Sequence, residues 1–104
     1  MTDTTQLPDL TNRQEDILTR IVQVYSEHPE PISSKYLVDN FTLNISSATV
    51  RNEMARLEEM GYIVSPHTSA GRVPTAAGFR YFVRRLLQTS ALSLNEQSHI
   101  TERV

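Results

Sequence analysis

Four side chains within the stretch 46–60, SSATVRNEMARLEEM, carry groups suited to reading another molecule: Thr49, Arg51, Asn52 and Arg56. Asparagine sets a donor beside an acceptor and pairs bidentately with adenine, arginine forks onto guanine or phosphate, and threonine bonds to either kind of edge. On a helix, Val50, Met54 and Leu57 recur at i, i+4 and i+7 and define a buried stripe. Ala48, Thr49, Asn52, Ala55 and Arg56 then fall on roughly the opposite side. Nothing bulky or strongly acidic blocks the first two turns of that face, so it suits a DNA major groove. The chemistry implied is recognition by hydrogen bond and charge.

The next stretch, PHTSAGRVPT at Pro66 to Thr75, holds no large apolar residue before Val73 and reads as the tip of a hairpin. Tyr62, Ile63 and Val64 lead out, and Val73, Pro74 and Thr75 lead back, with the proline tolerable because a two-stranded wing is all edge. Arg72 and His67 can reach phosphate or a narrow minor groove, beside Thr68 and Ser69. Gly71 is expected to be required for the turn and to let the backbone approach another surface. His67 beside Thr68 and Ser69 superficially suggests a nucleophile, but no carboxylate is placed to orient the histidine and no pocket is implied. No catalytic residue, metal ligand or cofactor is therefore expected, and the chain does not read as an enzyme. His28 has no second ligand at i+3 or i+4 and reads as a surface residue.

The elements that must hold these residues follow from local signals. Ser46 is a good N-cap for the proposed recognition helix, with Ser47 at its first position, and Gly61 can turn left-handed to stop it near Met60. Thr11 and Gln14 form a capping box for a scaffold helix that carries Ile17, Leu18, Ile21, Val22 and Tyr25 on one side and ends before Pro29. HPEPIS, with two prolines, reads as a linker. Ser33 or Ser34 then caps a short helix with Leu37, Val38 and Phe41 inward, and the turn from Thr42 to Ile45 buries Leu43 or Ile45. The amides at that helix start, with Ser33, Ser34 and Lys35, can hold a DNA phosphate; the alternative is that the serines merely cap. Thr75 caps a last helix in which Phe79, Phe82, Val83, Leu86 and Leu87 are expected to face the core and Gly78 to permit close packing. Tyr81 falls outside that arc and is expected to cover a neighbouring domain or subunit, while Arg80, Arg84 and Arg85 are expected to be solvated.

The predicted fold is mainly α with a small β-hairpin: a winged helix-turn-helix with a three-helix core, a two-stranded wing and a C-terminal helix. A chain of 104 residues suits one small domain. Residues 1–9 read as a disordered leader, 10–88 as the winged-helix domain, and 89–104 as a linker and the start of a further helix. The absence of cysteine fits a reducing cytoplasm, and no apolar run approaches the roughly 18 residues of a spanning helix, so no membrane partner is expected. The formal net charge is −2, yet residues 45–90 carry six arginines against three glutamates. That modest local excess implies weak non-specific affinity and dependence on a dimer for tight binding.

The residues Thr49 to Val83 resemble the DNA-binding domain of the heat-inducible transcription repressor HrcA family. PHTSAGRVPT at Pro66 to Thr75 and RNEMA at Arg51 to Ala55 match that family's pattern without a gap, and the similarity extends to LTNRQEDIL at Leu10 to Leu18 and to EPISSKYL. Ser47 departs from it, since the family usually has proline there, but serine is also acceptable in a first helical turn. The resemblance implies a repressor domain acting on an inverted-repeat operator in double-stranded DNA, control of chaperone genes, a homodimer in the full-length protein and the chaperonin as modulator. The competing reading, a winged-helix module that binds protein, would place large apolar residues where this chain has Ala48, Thr49 and Asn52.

Overall fold

In the computed structural model, which describes residues 10–66 and 70–88, the first helix is fixed by a reciprocal cap. Thr11 Oγ1 accepts the Gln14 N–H at 3.0 Å, and Gln14 Oε1 accepts the Thr11 N–H at 3.1 Å. Helix α1 then runs Asn12–Glu27 and buries Ile17, Leu18, Ile21 and Val22, while Tyr25 packs edge-on against Phe79 with ring centroids 6.2 Å apart. His28 closes it by donating its backbone N–H to Val24 O, ahead of Pro29.

The segment between the first two helices does more than link them. Ile32 is buried, and its N–H and C=O both pair with Arg72, each at 2.9 Å. The proline-rich composition rules out a helix here, but an extended residue after Pro31 is well suited to a ladder. Helix α2, Ser34–Asn40, buries Leu37, with Val38 and Phe41 partly buried against the core. Arg20 of α1 lays its guanidinium over the Phe41 ring, 4.8 Å from the centroid. Asn44 takes a positive φ of 58° in the turn, a conformation asparagine tolerates better than most residues, and both Leu43 and Ile45 pack against the core.

Helix α3, Ser47–Glu59, buries Val50, Met54 and Leu57. Gly61, at φ 88°, turns the chain into β1, Ile63–Val64, which pairs antiparallel with β2, Val73–Pro74, in the register Ile63 to Pro74 and Val64 to Val73. With Ile32 bridged to Arg72, the base of the wing is held on a second side and is not all edge. Gly71 has no positive φ; its bare Cα is needed because a Cβ there would lie 2.8 Å from Pro31.

The fourth helix, α4, covers residues 76–88 of the described chain. Thr75 starts it, accepting the Gly78 N–H at 3.1 Å while donating its hydroxyl to Gly61 O at 2.6 Å. A Cβ on Gly78 would overlap the Tyr62 carbonyl, which is the close packing expected of it. The face that α4 turns inward differs from the expected one. Tyr81 is 4% exposed and belongs to the core, whereas Val83, Leu86 and Leu87 are 46%, 51% and 62% exposed. Phe79 and Phe82 are partly buried. The inward position of Tyr81 is stabilised at both ends of the side chain: its ring meets Tyr62 at 5.4 Å, and its hydroxyl donates to Glu15 Oε2 at 2.5 Å. Arg85 reaches the other oxygen of Glu15 at 3.1 Å, so this arginine joins α4 to α1.

Burial, followed by the bond to the Glu15 carboxylate, pushes the Tyr81 phenol above its ordinary pKa of 10.0. A group whose pKa is raised by folding contributes stability that is complete below its unfolded pKa and declines as pH rises toward the folded value. Tyr81→Phe is therefore expected to lower the unfolding free energy at pH 7 by about 1.5–3 kcal/mol, the range for a hydrogen bond to a charged group. It is also expected to flatten the loss of stability above about pH 10. Urea denaturation of both proteins at pH 7 and through the alkaline range measures both effects.

Candidate nucleic-acid interface

Three short elements present the candidate residues: the start of α2, the outward face of α3 and the base of the wing. At α3 the cap is Ser46, whose Oγ accepts the Thr49 N–H at 3.1 Å. Its hydroxyl also shares a hydrogen bond with Thr49 Oγ1 at 3.0 Å. The helix is thus fixed from its first turn, and burying Val50, Met54 and Leu57 sets its rotation. Ser47, Ala48, Arg51, Asn52, Ala55 and Arg56 are exposed as a result, with Thr49 half-buried. Among the described residues, the side chains of Arg51, Asn52 and Arg56 make no hydrogen bond or ion pair.

The acids of α3 are placed differently from its bases. Glu53 lies toward α1, accepting from Gln14 Nε2 at 3.1 Å and facing Arg13 at 3.7 Å. Glu58 receives Arg72 Nε at 2.7 Å. Two of the three carboxylates of the helix are therefore engaged by other elements, which leaves Arg51, Asn52 and Arg56 on its outward side. Sequence periodicity gave no sign of either pairing, because the partners lie 39 and 14 residues away.

At α2, Ser33 is the N-cap: its Oγ accepts the Tyr36 N–H at 3.0 Å. Ser34 opens the helix and Lys35 is exposed, its ammonium 2.6 Å from Asp39. That hydrogen bond and the charge of Asp39 raise the Lys35 pKa above 10.5, so the side chain is a cation throughout the physiological range. In the wing, Gly71 is buried beneath Pro31 and Arg72 is half-buried with its guanidinium turned onto Glu58. His67, Thr68 and Ser69 lie outside the described residues.

A two-stranded wing beside a helix-turn-helix whose second helix shows a polar, basic face narrows the comparison to DNA-binding winged helices. The profile of the family described as "Winged helix-turn-helix transcription repressor, HrcA DNA-binding" matches residues 9–87. The chain belongs to that family. It is 52% identical over 92 residues to the heat-inducible transcription repressor HrcA of Roseiflexus castenholzii, a match covering 88% of this chain and 26% of that one. The corresponding repressor of Pediococcus pentosaceus is 47% identical over 91 residues, again covering 88% of this chain and 26% of its own length. A solved structure described as a hypothetical protein at 2.2 Å resolution superposes with a TM-score of 0.74 at 44% identity, covering 77% of this chain and 26% of that chain. The chain thus spans about a quarter of the length of the HrcA relatives it matches.

The cap at Ser46 gives a direct check on how α3 is held. Ser46→Ala is expected to lower the unfolding free energy by about 1 kcal/mol, whereas Ser46→Asp, which can also cap, should stay within a few tenths of the parent. Chemical denaturation followed by circular dichroism reads the difference; equal losses for both variants would mean the hydroxyl does not cap.

Proposed function

We propose that this domain binds double-stranded DNA in a sequence-specific manner as the reading head of a heat-shock repressor, with α3 in the major groove and the wing along the backbone or minor groove. One observation carries the proposal: Arg51, Asn52 and Arg56 stand exposed on one side of a capped helix, and among the described residues their side chains make no hydrogen bond or ion pair. Small residues at Ala48 and Ala55 leave that face free to approach base edges closely, and Asn52 in the second turn is suited to adenine. Thr49 offers a methyl group and a hydroxyl already bonded to Ser46. Arg51, Arg56, Lys35 and the amides at the start of α2, with Ser33, Ser34 and Ser47, are assigned to phosphate and flanking contacts. His67, Thr68, Ser69 and Gly71 are assigned to the wing contact on the strength of the family pattern.

The names of the relatives, heat-inducible transcription repressors, support negative control of transcription. The genes controlled are, by resemblance, those of chaperones, and the domain acts by binding. By resemblance, the operator is an inverted repeat, the full-length protein acts as a homodimer in the cytoplasm, and the chaperonin modulates it. A single domain with so small a positive excess makes few phosphate contacts, which is the physical reason for two copies on two half-sites.

The test uses a duplex enriched by this chain from a randomised DNA pool, and a scrambled duplex of the same composition. Asn52→Ala should cost about 1–3 kcal/mol on the enriched duplex and little on the scrambled one. Equal losses on both would reassign Asn52 to backbone positioning, and failure of the parent chain to enrich any sequence would overturn the proposal.

A further inference from the structure

We propose that Arg72 is a positioning residue that fixes the wing on α3 through Glu58, in place of the phosphate contact its charge and location suggest. The inference rests on the DNA-binding reading above and deepens it. Arg72 Nε donates to Glu58 Oε1 at 2.7 Å, and both side chains are substantially shielded, at 27% and 32% exposure. Nη1 turns back onto the wing's own backbone, donating to Ala70 O at 3.1 Å and Gly71 O at 3.3 Å. One guanidinium therefore ties the end of α3 to the returning strand of the hairpin and stiffens the residues just after its tip.

The backbone at the same point is gripped from the other side. Ile32 and Arg72 exchange both of their amide bonds at 2.9 Å, and Gly71 passes so close to Pro31 that a side chain there would not fit. Residues 70–72 enter β2 through this joint. The angle of the returning strand to the recognition helix is accordingly set by where Arg72 sits. Electrostatics argue the same way: unlike the exposed Lys35, the partly shielded Arg72 is held by its carboxylate, and releasing it to a phosphate would strand the Glu58 charge near the polyanion.

A double-substitution cycle decides between positioning and direct contact, using Glu58→Gln, Arg72→Gln and the two together in the full chain. Binding to the pool-enriched duplex is measured at several salt concentrations, and amide hydrogen exchange is measured in the DNA-free proteins. For positioning, each single substitution weakens binding by a similar factor, about 5-fold, the double is no worse than either, and the dependence on salt keeps its slope. Exchange at Ile32 and Arg72 accelerates in both single variants while the α1 core amides stay protected, which shows that the fold is intact. For direct contact, Arg72→Gln lowers the magnitude of the salt slope by about one, and Glu58→Gln, which frees the arginine, binds as tightly as the parent or more so. That result would overturn the inference, as would unchanged exchange at Ile32 and Arg72 in both variants. Should the parent chain bind no duplex, the DNA reading fails, and the exchange data alone still decide whether the pair holds the wing.

Discussion

The burial of Val50, Met54 and Leu57 is the constraint from which the rest of the interface follows. Removing one such side chain from water is worth about 1.5–3 kcal/mol, more than the cap at Ser46 or any single ion pair on this surface. Helix rotation is therefore decided by the core: with these residues packed inside, Asn52, Ala55 and Arg56 point outward. Helices α1 and α2 supply the surface that receives the stripe. Their own caps, the Thr11 and Gln14 pair and Ser33, place their starts with similar economy.

Charge is distributed by the same packing. Glu53 reaches across to Gln14 and Arg13 of α1, and Glu58 takes Arg72 from the wing. Each carboxylate serves as a tie between elements and is kept away from the outward turns of α3. Glu15 plays the corresponding part at the other end of the core, where one carboxylate accepts from Tyr81 and faces Arg85. A chain of formal net charge −2 can in this way present a locally basic face.

What was legible in the sequence was local. The capping box, the serine caps, the left-handed Gly61 and the buried stripe of α3 depend on residues three to seven positions apart, and each is found as expected. Tyr81 departs from the expected arc because α4 carries apolar residues around much of its circumference, so periodicity alone does not choose the inward side. The choice came from Glu15 and Tyr62, distant in the chain, which give the phenol a hydrogen bond and a ring contact. Ile32 was hidden by its prolines, which signal the absence of a helix but say nothing of a partner forty residues on. Arg72 reads in the sequence as a cation reaching toward phosphate or a narrow minor groove for the same reason, since no pattern links it to Glu58.

The measurement that bears most directly on the interface is a titration of the isotopically labelled chain with the enriched duplex, followed by backbone and arginine side-chain chemical shifts. The largest changes are expected at Ala48, Thr49, Arg51, Asn52 and Arg56, with smaller ones at the start of α2 and in the wing, and little change along Val83, Leu86 and Leu87. Changes concentrated on that exposed apolar face of α4, with α3 unperturbed, would contradict the assignment of α3 as the surface that reads DNA.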